Sequence, residues 1–537
     1  MESAARRPLG HLTSNVPRPT SHVLLIGSLA AAVFLILLPC LKADFIYWDD
    51  DQHVFANPDT ASLSGENLRK IFTSTVNDTY IPLSILSYAV ERHFFGLFPY
   101  HYHADNVLLH IANVLLVFFL AGRLGLGTTA AFLAALLFGI HPMHVESVAW
   151  VTSRKDVLYT FFYLLSVLCY HEHLKTGCRK KYWLSLGFGV LSVLAKPMAL
   201  SLPFILALLN WFIEGTDRRR TLRSIFPFTL LIFSIVSITY GLNARTPMAQ
   251  FPQSLLLWIW CASFYVEKFF LPIGLSPLYR APQPVDLANP FYLKGLLIVV
   301  FITLALIRFR RERLLVFAVA WYALSTFFLW RFDLKDTSLV ADRFMYLPSL
   351  GFCLWIGNGL EKLSSKSGQQ QTEWRRPLLW LALTLFLLLP PLTVRQCRVW
   401  SNDWTFWNEV IRRLPDSSLA YTNRGVFLQL MGADALALAD LNQAVALDPS
   451  NFVAYLTRGK LFGKEGQWEL AREDYDRALE QPLNEKTYLA YFNRGLAYQA
   501  LGRRREALRD FEQTISLKPD YPEGFARRMD VLNILQK

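Results

Sequence analysis

Cysteine is scarce: six stand in 537 residues, and no two lie at the spacing of a metal knuckle or a redox pair. They read as small buried hydrophobes and leave the redox compartment open. A signal-peptide cleavage site is also missing. Residues 23–41 follow a basic stretch holding Arg6, Arg7 and Arg18, but the apolar run is too long for a signal core. Ile36-Leu37-Leu38-Pro39-Cys40 offers none of the small residues that cleavage needs. The expectation is a retained first transmembrane helix. Charged residues at the centres of the apolar runs, and inverted repeats, are absent too, which argues against a transporter.

What the chain has in excess is apolar sequence. Hydrophobic residues make up 53% of it, gathered into runs of about the 17–25 residues that cross a bilayer. Candidate runs are 22–41, 105–122, 129–145, 157–173, 183–197, 198–213, 224–243, 254–273, 291–307, 314–330, 345–361 and 377–394. Beyond about residue 395 the chain turns polar. Three parts follow: a cytoplasmic N-terminus at 1–21, a transmembrane domain at 22–395 and a soluble domain at 396–537.

The net charge of +12 does not point to nucleic acid, because the basic residues sit in short clusters between apolar runs. Such clusters at 175–181, 218–223, 308–313 and 362–376 mark cytoplasmic loops. With twelve crossings the 308–313 cluster would fall outside. If 254–273, with Glu267-Lys268 and four prolines after it, does not cross, every cluster returns inside. This predicts about eleven crossings, the N-terminus in and the C-terminus out. Loops 42–104, 142–156, 244–290 and 331–344 then lie outside.

The polar tail repeats. Ala420-Tyr421-Thr422-Asn423-Arg424-Gly425 recurs as Ala454-Tyr455-Leu456-Thr457-Arg458-Gly459 and Ala490-Tyr491-Phe492-Asn493-Arg494-Gly495, 34 and 36 residues on. A second glycine follows each (432, 466, 502), then an alanine (437, 471, 507). Small residues for close helix pairs at this period are the tetratricopeptide signature, and such arrays make curved protein-binding surfaces. Residues 400–418 read as a degenerate first helix pair.

Several polar groups converge on the expected outer side. Tyr47-Trp48-Asp49-Asp50-Asp51 crowds three carboxylates beside the first crossing, either a proton-accepting site or a solvated helix cap. His141, His144 and Glu146 could ligate a metal, although two histidines in an extended interfacial loop often only hydrogen-bond. Arg154 and Lys155, next to Asp156, suit a phosphate or an interfacial snorkel. The charge rule disfavours bases on this side, which favours a functional reason. Lys196, at a helix end, has the same two readings. Asp342 and Arg343 start a later crossing as an ion pair near Pro348 and Gly351, a deformed entry suited to lining a cavity. The stretch 80–104, too polar at Glu91-Arg92-His93 to cross, suits an interfacial helix.

In order along the chain, these motifs resemble one family. They are Tyr47-Trp48-Asp49-Asp50 with Asn57-Pro58, Pro82-Leu83-Ser84 with Asn106-Val107-Leu108-Leu109-His110, and His141-Pro142-Met143-His144-Val145-Glu146-Ser147-Val148. Ser153-Arg154-Lys155-Asp156-Val157-Leu158, Ala195-Lys196-Pro197, and Ala341-Asp342-Arg343 with Tyr346-Leu347-Pro348-Ser349 complete the set. The chain resembles, over nearly its whole length, the transmembrane and tetratricopeptide-repeat O-mannosyltransferases and their bacterial relatives. Lys196-Pro197 stands where animal members tend to have Lys-Glu and looks more like the bacterial branch; the usual Tyr-Arg-Pro-Leu is Tyr80-Ile81-Pro82-Leu83 here.

The resemblance implies an all-α, GT-C-like membrane bundle followed by an α-solenoid of repeats. It implies transfer of a sugar, typically mannose, from a polyprenyl-phosphate donor to a hydroxyl acceptor, for which a protein Ser/Thr is the first candidate. Asp49 or Asp50 would be the base, with Asp49 preferred, and Arg154, Lys155, Lys196 and Arg343 would neutralise the lipid phosphate. No cofactor is certain beyond that donor, a divalent metal being left open without support, and the repeats would hold the acceptor. The membrane would be a bacterial inner membrane, or that of the endoplasmic reticulum in a eukaryote. The competing class is a non-catalytic membrane scaffold whose repeats recruit partners.

Overall fold

A computed structural model describes residues 19–215, 217–242, 253–329, 339–364 and 375–536. Parts of the expected loops 244–290 and 331–344, of the linker 362–376 and of the N-terminus lie outside them. The described chain is helical, with no β-strand and one isolated bridge between Val76 and Thr79. It divides into two compact units. The first holds Met1–Lys42, Gln52–Ile273 and Ala281–Cys397; the second holds Ala43–Asp51, Gly274–Arg280 and Arg398–Lys537.

In the first unit every apolar run carries a helix. Among the described residues, five are long and apolar enough to cross a membrane: His22–Lys42, Pro99–Arg123, Arg218–Ser237, Pro290–Arg308 and Pro377–Val399. A sixth arises if the pair Thr128–Ile140 and Pro142–Ala149, bent by 52°, is one span. This makes a multi-pass membrane protein. The remaining runs form helices that are shorter or charged at one end, such as Arg154–Thr176 and Arg179–Ala195.

Two local expectations change. The polar stretch 80–104 is no single interfacial helix. Pro82–Phe95 ends at Gly96, whose φ of 68° suits a residue without Cβ, and Pro99 opens the next helix, which runs on into a span. The run 129–145 is not one helix either. Pro142 drives His141 into extended backbone (φ −74°, ψ 129°), and the helix stops at Ile140.

That stop would strand carbonyls in an apolar interior, where each costs several kcal/mol if unpaired, as a rough guide. Side chains cap them. His144 Nδ1 lies 2.6 Å from the Phe138 oxygen and His110 Nε2 2.9 Å from that of Gly139, while Thr393 Oγ1 donates to Ile140 at 2.5 Å. Tyr346, which accepts from Asn113 at 3.1 Å, meets His110 Nδ1 at 2.7 Å. His110 therefore carries its proton on Nε2.

In the second unit, helices Ser418–Leu430 and Asp434–Leu447, Phe452–Lys464 and Trp468–Leu479, and Thr487–Ala500 and Arg504–Leu517 pair as three repeats, with Pro522–Leu535 after them. Gly425, Gly459 and Gly495 sit where a Cβ would press on Leu441, Tyr475 and Phe511. Gly432, Gly466 and Gly502 turn each pair at φ of 74–77°. Arg424, Arg458 and Arg494 each grip a carboxylate sixteen residues on, at Asp440, Asp474 and Asp510. Residues 400–418 form one helix, Asp403–Arg413, and not a pair. Its Asn408 accepts from Arg424 as Asn442 accepts from Arg458, so it stands in for the second helix of a preceding repeat.

Candidate functional site

In the first unit, Trp150 and Phe344 gather three cations. The Arg343 guanidinium lies 4.8 Å from the Phe344 ring centre and 5.4 Å from that of Trp150. Lys196 Nζ is 5.5 Å from Phe344, and Lys155 Nζ is 5.9 Å from Trp150. Two carboxylates partner them: Lys196 Nζ reaches Asp156 Oδ1 at 2.5 Å, and Arg343 pairs with Glu146 through its guanidinium and, at 3.0 Å, its backbone N–H. Asp342, beside Arg343, is also buried.

The local sequence explains the assembly. Lys196 ends its helix because Pro197 follows, and its extended backbone (φ −158°) starts the next short helix. Lys155 and Asp156 lie in the first turn of Arg154–Thr176. Lys155 and Arg343 crowd like charge around the Lys196 ammonium, and Asp156 offsets part of it. A buried cation crowded by like charge is relieved when an anion binds, which makes this an anion-accepting arrangement.

Arg154 is placed differently. Its guanidinium is buried, donating to Asn106 Oδ1 at 2.8 Å, to Glu91 and to the Tyr102 carbonyl at 2.7 Å, with the Tyr88 ring 4.9 Å away. The Tyr102 ring lies 5.8 Å away. In the sequence Glu91 was marked only as part of the charged Glu91-Arg92-His93 group, and the two rings by nothing.

His141 and His144 do not sit in an extended loop as expected. Both are buried, His144 in a short helical turn, Pro142–His144, that His141 caps; His141 faces the Phe269 carbonyl at 2.9 Å and His144 bridges Phe138 and Ser349. Among the described residues no three of His, Cys, Asp and Glu group as a metal site.

The acidic motif belongs to the second unit. Asp50 is buried, and its Oδ2 accepts the Ile46 N–H at 2.9 Å, folding the carboxylate back onto its own turn. Asp49 is half-buried.

The comparisons agree with this division. The description of dolichyl-phosphate-mannose-protein mannosyltransferases matches residues 105–240, and that of the tetratricopeptide repeat matches 488–521. Protein O-mannosyl-transferase TMTC3 of Homo sapiens is 21% identical over 519 residues, 86% of this chain and 56% of its own. TMTC1 of Homo sapiens is 23% identical, over 81% and 56%. TMTC2 of Mus musculus is 37% identical over 158 residues, 28% of this chain and 19% of its own. These matches define a class, membrane proteins that join a mannosyltransferase-type helical domain to a tetratricopeptide array. The chain is similar to the transmembrane and tetratricopeptide-repeat O-mannosyltransferases. It spans about half the length of the curated relatives it matches, 56% for TMTC3.

Proposed function

We propose that the chain is a membrane glycosyltransferase that moves mannose from a polyprenyl-phosphate donor to a protein Ser/Thr hydroxyl on the outer side of the membrane. The observation that carries this is the gathering of Lys155, Lys196 and Arg343 on two aromatic rings beside Glu146 and Asp156. A sugar phosphate needs such charge, because the leaving phosphate takes the electron pair of the broken anomeric bond. Asp156 Oδ2, enclosed and with no hydrogen-bond partner among the described residues, offers an acceptor to a sugar hydroxyl.

In this reading the acceptor oxygen forms the new bond to the anomeric carbon and its proton passes to Asp49. An alkyl hydroxyl is a poor nucleophile without such a base. Asp49 is preferred because it holds the first acidic position of the motif; the Asp50 carboxylate accepts the Ile46 N–H. Arg154, engaged with Asn106, Glu91 and the Tyr102 carbonyl, braces the helices around it. The threading with eleven crossings, Gln253–Phe270 not spanning and the repeats outside, completes the reading, and the array presents the acceptor.

The test incubates the purified protein with labelled polyprenyl-phosphate mannose and Ser/Thr peptides. Release of polyprenyl phosphate with label on the peptide is expected. Peptide capture with neither product would leave the scaffold reading in its place.

A further inference from the structure

We propose that Asp403, in the helix that opens the repeat array, is a positioning residue for the acidic turn. It holds the backbone from which Asp49 and Asp50 project. The proposal rests on the reading of Asp49 as the base.

Three anchors bracket the turn within five residues, all inside the second unit. Asp44 donates its N–H to the Ser401 carbonyl at 2.8 Å. Tyr47 donates its N–H to both oxygens of Asp403, at 3.1 and 3.2 Å, across 356 residues of sequence. The Trp48 ring meets Trp407 edge-on at 5.2 Å between centres.

Asp403 is free for this role because its helix is capped by another residue. Asn402 is the N-cap and accepts the Thr405 N–H at 3.0 Å, the task a first-turn carboxylate often shares. The Asp403 carboxylate turns instead to Tyr47 and to Trp407 Nε1, which donates at 3.3 Å. It is only 2% exposed, so water competes little for those bonds. The other end of the same helix meets a second loop. Arg413 lies against Gly274, and Asp416, just beyond, pairs with Arg280. The junction helix thus ties the acidic turn to the array, whose first repeat it joins through Asn408 and Arg424.

Positioning makes a demand that stability does not, because a misplacement of about 1 Å in a reacting group costs roughly 10²-fold in rate. Asp403→Ala, Asp403→Asn and Asp403→Glu are assayed in the full chain for transfer, with hydrogen exchange read at the Tyr47 amide. In Asp403→Ala the amide should lose protection and kcat should fall by about 10²-fold, with the donor KM unchanged. Asn keeps an acceptor oxygen for Tyr47 and should restore kcat. If the alanine variant does not fold, Asp403→Glu decides: it keeps charge and acceptor but moves the oxygen, so kcat should fall in a folded protein. Wild-type kcat in folded Asp403→Ala or Asp403→Glu, or an equal loss in the Asn and Ala variants, overturns the proposal. Full activity in both Asp49→Asn and Asp50→Asn overturns the underlying reading, and the proposal with it. Activity lost there but kept in Asp403→Ala overturns the proposal alone.

Discussion

Lys196 Nζ lies 2.5 Å from Asp156 Oδ1, both side chains enclosed, with Lys155 and Arg343 close enough to oppose its charge. The ammonium therefore sits among more positive charge than one carboxylate offsets, and a bound phosphate would relieve it. Lys196→Gln removes that charge and should weaken donor binding by about 10–100-fold, the worth of a hydrogen bond to a charged group. Titrating labelled polyprenyl-phosphate mannose against wild type and the variant checks this; wild-type affinity in Lys196→Gln would sink the assignment.

Asp49→Asn keeps the side-chain shape but removes the proton acceptor. Turnover should fall by about 10²–10⁴-fold, the usual contribution of a general base, while donor binding persists. Asp50→Asn retains an oxygen for the Ile46 N–H and should lose less. The steady-state rates of the two variants, compared side by side, check the order; a larger loss at Asp50 would reverse the roles.

The fold was legible where one residue type had one reason to recur. The glycines at 425, 459 and 495 each face a large side chain, and those at 432, 466 and 502 each need φ above zero, so their period reported real geometry. The break at His141 was hidden because an apolar run reads alike whether continuous or interrupted, and its repair comes from His110 and Thr393, far off in sequence. For the candidate site, the cations were visible as bases on the wrong side for the charge rule. Their sorting was not: Arg154 and Lys155 are neighbours, yet only the first faces Glu91. Nothing near Asp403 in sequence marks it as a partner of Tyr47.

The array offers a test independent of catalysis. A Cβ at Gly459 would lie 2.6 Å from the Tyr475 ring, so Gly459→Ala should destabilise the repeats by about 1–3 kcal/mol through overpacking. Arg458→Ala should cost more, about 3–5 kcal/mol, because it leaves the Asp474 carboxylate enclosed without its partner. Denaturant titrations of the full chain, read by hydrogen exchange at amides of the repeats, give both values. A neutral result for Gly459→Ala would argue against the close helix pair.

The basic loops predict which side each segment faces. An impermeant thiol reagent on intact cells should label a cysteine placed at the exposed Ser450 or Asp520, and should miss one in the 218–223 cluster. Labelling of the array only after membrane rupture would invert the threading.

The pair of Arg343 and Glu146 separates a structural role from a binding role. Glu146 is enclosed, whereas the Arg343 side chain keeps 21% exposure, so the guanidinium alone can meet a ligand from outside. Arg343→Ala strands a buried carboxylate, and removing one partner of such a pair costs about 3–5 kcal/mol. Melting temperature in detergent and donor affinity should therefore both fall. Adding Glu146→Gln removes the stranded charge, so the double variant should regain most of the lost stability. It should not regain donor binding, since the cation that meets the phosphate is still missing. Thermal melts and donor titrations on the same preparations distinguish the outcomes. If the double variant recovered both properties, Arg343 would be a structural counter-ion to Glu146 and not a phosphate ligand.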